Sequence, residues 1–189
     1  MKRFVRFGGS SFERHWLVAR LMAAWADQRG VAAVEFGIFA LFLSLALANV
    51  TDVSMYIYQQ MQVENATQVA AQAAYKTCAT QLPATQKCAG LMTAMQNALS
   101  STSLGTSVTL VSGSPTEGYY CVSSSNSLQY VSDVSTKPSD CTAAGTPALQ
   151  PGDYITVQTT FQYRSLFPRL SVAGAFPTPI NRTAIMRLG

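Results

Sequence analysis

The sequence predicts an α+β protein, in which a long N-terminal helix, transmembrane and then amphipathic, leads into a small antiparallel β-sheet domain with disulfides. Three observations predict it. Residues 31–50 are an almost unbroken apolar run, residues 38–82 hold neither glycine nor proline, and short β-branched or aromatic runs between turn residues fill the C-terminal part. The expected organisation is a basic leader over 1–30, a transmembrane helix over 31–50, an amphipathic extension over 51–77 and an exported Cys-containing α+β domain over 78–189.

Composition sets the first bound. Of 189 residues, 48% are hydrophobic and only 12% are charged, about half the usual charged share of a globular domain. So few charges make a fully soluble surface difficult to build, and the apolar content excludes charge-driven disorder. The net charge of +4 is localised. Residues 1–30 carry Lys2, Arg3, Arg6, Arg14, Arg20 and Arg29 against Glu13 and Asp27, whereas residues 31–189 carry seven basic and seven acidic side chains. A nucleic-acid-binding domain spreads its charge over a folded face, so no nucleic-acid partner is expected.

The apolar run explains the arm. Sixteen of the twenty residues in 31–50 are Ala, Val, Ile, Leu or Phe, the exceptions being Glu35, Gly37, Ser44 and Asn49. Twenty helical residues rise about 30 Å, the thickness of a bilayer's hydrocarbon core. Basic residues before the run, with none after it until Lys76, predict a cytoplasmic N-terminus and an exported remainder. A secretory signal peptide would have a shorter apolar region, roughly 7–15 residues, ending in a small-residue cleavage site.

Beyond Asp52, the apolar residues Val53, Tyr56, Ile57, Val63, Ala66, Ala70 and Ala73 recur at helical spacing, with Gln59, Gln60, Gln62, Glu64, Asn65 and Gln68 between them. This amphipathic stripe predicts one continuous helix over 31–77, docked on its own domain and able to pack on neighbours as well. Asp52 itself reads as an interfacial residue at the outer end of the membrane helix. Further on, residues 90–99 predict a short helix. Strands are expected at 107–111, 119–123, 128–132, 154–163 and 183–188, between turn signals. In the clearest strand Ile155, Val157, Thr159, Phe161 and Tyr163 form the more apolar face, as in a sheet covered on one side.

Four cysteines in an exported, oxidising compartment are expected to form two disulfides. Cys78–Cys88 and Cys121–Cys141 each close a short polar loop; pairing across the two regions is the alternative, since four cysteines allow three connectivities. The only histidine, His15, lies in the arm, so the exported part has no Ser-His-Asp or Cys-His arrangement. Its carboxylates show no metal or glycosidase spacing, and no Gly-rich phosphate loop follows a strand. Neither enzymatic activity nor a cofactor or metal is expected. The sequons at Asn65 and Asn181 are chance-level matches.

One constellation is specific. Arg29-Gly30-Val31-Ala32-Ala33-Val34-Glu35-Phe36 stands where the polar arm meets the membrane helix. A carboxylate about one turn inside lipid costs several kcal/mol unless paired or neutralised, and the helix dipole alone is a weak justification for it. The segment resembles the processing site of type IV pilin-like proteins, where a membrane aspartyl peptidase cuts after the glycine and the glutamate guides assembly. Residues 28–77, with the apolar run, Asp52, Tyr58 and Gln62-Val63-Glu64-Asn65-Ala66, resemble the TadE-like family of minor pseudopilins in the tight-adherence (Tad/Flp) type IV pilus system. Residues 183–188 are similar to the closing strand of that family. One departure is that no proline interrupts the apolar run at Phe39-Ala40-Leu41-Phe42, which implies a straighter membrane helix.

The resemblance implies cleavage between Gly30 and Val31 by a prepilin peptidase, and an assembly role for Glu35 and Phe36. It implies residence in a bacterial inner membrane as a single-pass protein with an extracytoplasmic C-terminal domain. The implied partners are membrane lipid, other Tad pilus subunits and minor pseudopilins, and the inner-membrane assembly platform. The leader is long: Phe12, Trp16, Leu17, Leu21, Met22 and Trp25 predict an amphipathic surface helix, and a start at Met22 would shorten it. The competing reading is an uncleaved single-pass protein displaying a binding or adhesive domain.

Overall fold

A computed structural model describes residues 28–189. His15, Met22, the amphipathic stretch around Trp16 and Trp25, and nearly all of the leader lie outside the described residues. The chain divides into two compact units, the first ending at Ala48 and the second running Asn49–Gly189.

In the first unit the described residues belong to helix α1 (Gln28–Cys78), which continues without a break into the second. The helix begins three residues before the expected start at Val31, so Gly30 lies inside it. The physical reason is that a helical glycine costs only about 1 kcal/mol relative to alanine, and a glycine near a helix end does not stop it. Val31, Phe36, Phe39, Leu43 and Val50 are each more than half exposed. This helix is long and apolar enough to cross a membrane.

In the second unit α1 is followed by α2 (Ala84–Lys87), α3 (Leu91–Ser100), β1 (Val108–Leu110), β2 (Thr116–Val122), β3 (Leu128–Asp133), β4 (Gly152–Phe161) and β5 (Ile180–Arg187). All five strands pair antiparallel, and β4 is the centre. One edge of β4 pairs with β5 from Tyr154↔Arg187 to Phe161↔Ile180. The other edge is shared end to end: β1 takes Thr159–Phe161 and β2 takes Gly152–Thr156. β3 extends the sheet from β2.

The buried face of β4 carries Ile155, Val157, Thr159 and Phe161, with Tyr163 just beyond, in one core with Tyr56, Val63, Ala66, Ala70, Ala71 and Ala74 of α1. Alanines on the helix face allow its backbone to approach the sheet closely. Fully buried Thr67 and Thr159 hydrogen-bond across that interface at 2.6 Å. Helix α3 adds Leu91, Met95 and Leu99, all on the same side, so the sheet is covered on one face. Tyr120, Tyr130 and Tyr154 stack edge-to-face, at centroid distances of 5.4 and 5.5 Å.

Several local expectations need correction. Ile57 is half exposed and Ala73 only half-buried, whereas Asp52 and Thr67 are fully buried. The buried stripe therefore runs through 52, 56, 63, 67, 70, 74 and 78, because polar side chains that find partners in the sheet bury as readily as apolar ones. Strand β2 starts at Thr116, not 119, because its first residues pair with β4. Strand β5 starts at Ile180, directly after Pro179. The loop between Cys78 and Cys88 contains the one-turn helix α2, capped by a carboxylate far away in sequence: Glu117 accepts from the Ala84 N–H at 2.7 Å and the Thr85 N–H at 2.6 Å.

Candidate functional site

The residues singled out in the sequence fall into separate places. Gly30, Val31, Glu35 and Phe36 lie on α1 within the first unit. Glu35 is exposed amid apolar neighbours, and it has no ion-pair partner among the described residues. Phe36 is three-quarters exposed. No Cβ at Gly30 would meet another atom within 4 Å.

The cysteines lie in the second unit and are buried. Cys78 joins Cys88, and Cys121 joins Cys141. The first bond ties the last residue of α1 to the approach to α3. The second ties β2 to the turn at Thr142–Ala144, which follows β3.

A further site was not legible as one. Asp52 reads as a plain interfacial residue from sequence, but its side chain is fully buried and collects donors from the segment after β4. Its Oδ1 accepts from the Tyr163 hydroxyl at 2.7 Å and from the Leu166 N–H at 2.9 Å. Its Oδ2 accepts from the Ser165 hydroxyl and, at 3.4 Å, from the Phe167 N–H. Burial opposes ionisation here, but hydrogen bonds from Ser165, Leu166, Tyr163 and Ser171 outweigh it and hold the carboxyl well below the usual carboxylate range. The same burial, together with the Asp52 charge, pushes the Tyr163 phenol up to about 12.

The neighbours of Asp52 on the helix extend this clamp. Asn49, one turn earlier, donates from Nδ2 to the Leu170 carbonyl at 3.1 Å and accepts from the Val172 N–H at 2.9 Å. Tyr56, one turn later, donates to the Pro177 carbonyl at 3.2 Å and meets Tyr163 edge-on at 5.0 Å. Residues 163–177 are thus bound to one face of α1 where the apolar run ends. The only sequence signal was the 49, 52, 56 spacing of polar groups, which places them on one helix face.

A second polar site lies at the start of β4. A cavity of about 430 Å³ is lined by Lys87, Tyr119, Lys137, Asp153 and Gly189, among others. Asp153 is buried, and its Oδ1 has no hydrogen-bond partner among the described residues. Burial first, and the nearby Glu117 second, push its carboxyl up to about 6, with Lys137 opposing. Among the described residues no group of three metal-ligating side chains occurs.

A protein-family model described as TadE-like protein matches residues 30–72. The match begins at Gly30, covers Glu35 and the apolar run, and takes in Asn49, Asp52, Tyr56 and Thr67. No curated protein and no solved structure matches the chain.

Proposed function

We propose, from the TadE-like match over residues 30–72, that this chain is a structural minor pseudopilin that takes part in initiating or assembling a Tad pilus. In this reading a prepilin peptidase removes the leader between Gly30 and Val31 at the cytoplasmic face. The apolar part of α1 then holds the protein in a bacterial inner membrane, with residues 51–189 on the exported side, where two disulfides are at home. The partners are other pilus subunits and the assembly platform.

The observation that carries this reading is Glu35. It is a carboxylate five residues past Gly30, exposed in an apolar helix, with no ion-pair partner among the described residues. A charge in lipid demands a partner, and the ammonium of a mature chain beginning at Val31 supplies one, in the same chain or a neighbour. Met55, Tyr58 and Met61 of α1 also stay exposed beyond the apolar run, which supplies apolar surface for neighbouring subunits.

Aspartyl peptidases bind extended substrates, so the first turn of α1 must unwind before cleavage, and Gly30 weakens that turn. N-terminal sequencing of the protein from cells with its cognate peptidase tests the reading: the mature chain is expected to begin at Val31. Gly30→Leu should leave the full-length chain in the membrane. A wild-type chain that still begins at Met1 would instead support an uncleaved single-pass protein displaying its exported domain.

A further inference from the structure

We propose that residues 164–172, the segment clamped by Asn49 and Asp52, form a second membrane contact: a loop that dips its apolar side chains into the phospholipid interface through which α1 leaves the bilayer. The proposal rests on reading residues 31–50 as membrane-spanning, and goes beyond it by giving the folded domain its own lipid-binding element.

The chemistry of the segment is the first argument. Leu166, Phe167, Leu170 and Val172 are 57%, 38%, 59% and 61% exposed. In a domain that buries Ile155, Val157 and Phe161 almost completely, four large apolar side chains on one short loop form a patch that requires a cover.

Position is the second argument, and it selects the occupant. The Leu166 and Phe167 amides bind Asp52, while the Leu170 carbonyl and Val172 amide bind Asn49. Both ends of the loop are therefore fixed to α1 within three residues of one another, where the apolar run ends. Three residues of helix rise about 4.5 Å. The headgroup zone adds roughly 5–7 Å to each side of the hydrocarbon core. A loop held at Asn49 and Asp52 thus stands at the height of that zone.

Charge is the third argument. Arg164 and Arg169 are exposed, neither forms an ion pair among the described residues, and no acidic residue follows Asp153 in the sequence. Guanidinium groups bind phosphate through paired donors, and their aliphatic stems lie along apolar surface while the heads stay in the polar layer. The hydrogen bonds to Asn49 and Asp52 already order the loop backbone, so little further ordering opposes insertion.

Tryptophan fluorescence of the full chain in vesicles tests this. Trp16 and Trp25 are changed to Phe, and one reporter is introduced at a time by Leu170→Trp, Leu149→Trp or Leu41→Trp. The vesicles contain phosphatidylethanolamine and phosphatidylglycerol, with or without phosphatidylcholine brominated on its acyl chains. Leu149 is exposed and precedes β4, at the end of that strand opposite the loop. The Leu170→Trp emission is expected to shift to the blue and to be quenched by the brominated lipid, while the Leu149→Trp emission is quenched only by aqueous iodide. Quenching of Leu41→Trp but not Leu170→Trp by brominated lipid would overturn the loop contact and leave the spanning helix intact. Loss of quenching at both positions would overturn the spanning reading and the loop contact together. Shielding of Leu170→Trp from iodide that disappears when the protein is diluted with lipid would assign the patch to a second copy of the chain, and would also overturn the proposal.

Discussion

Two carboxylates of the second unit have opposite characters, and each follows from its donors. Asp52 is buried with hydroxyl and amide donors around both oxygens, so its ionised form is the stable one. Its folded pKa lies below the ordinary 3.8. Its stabilisation is therefore fully present above that value and is lost as pH falls through the lowered one. Asp52→Ala leaves the Tyr163 hydroxyl and the Leu166 amide without their acceptor and should cost about 3 kcal/mol in chemical unfolding. Asp153 behaves in reverse. Buried beside Glu117, it has a pKa raised from 3.8 to about 6, so its contribution is present below 3.8 and is lost as pH rises through about 6. Asp153→Asn should raise the thermal unfolding midpoint at neutral pH and flatten its decline across that window. An unchanged pH profile in this variant would remove Asp153 as the cause.

At the level of elements, the outer half of α1 is shaped by how closely it lies on β4. Ala66, Ala70 and Ala74 are fully buried against the sheet, with Thr67 bonded to Thr159 between them. Ala70→Leu inserts volume where none is free and should destabilise the domain by about 1–3 kcal/mol, read as a lower denaturant midpoint with an unchanged slope. The sheet shows the same economy of space elsewhere. A Cβ at Gly118 would stand 2.7 Å from the Tyr130 ring and 3.0 Å from the Ser132 carbonyl, so only glycine fits beneath that ring. Helix α2 has a different origin: four residues cannot sustain a helix by propensity, and the Glu117 carboxylate holds its first turn in place.

For the whole molecule, the proposed pseudopilin reading makes the charge in the apolar helix the point at which the chain would meet its partners. Glu35 lies at the start of the run and finds no ion-pair partner among the described residues, so its partner is expected to come with assembly. Glu35→Ala should leave membrane insertion intact, since it removes a cost from the apolar segment. The same change should reduce recovery of other pilus subunits in co-purification and lower the number of pili per cell. Undiminished recovery with normal pili would restrict Glu35 to a favourable interaction with the helix dipole.

The long apolar helix, its amphipathic continuation, the apolar face of β4 and the antiparallel sheet were legible in the sequence. Each is written in local periodicity, which depends on neighbours one to four residues away. The pairs Cys78–Cys88 and Cys121–Cys141 were favoured for a related reason: their separations of 10 and 20 residues make short loops. The clamp at Asp52 was not legible. Its Tyr163 donor lies 111 residues away, and no local pattern distinguishes an aspartate at a membrane boundary from one about to be buried. Ionic character that would expel a side chain from a core by composition alone becomes stabilising once hydroxyl and amide donors converge on it. Only the fold, by returning the chain from β4 to the helix, brings them there.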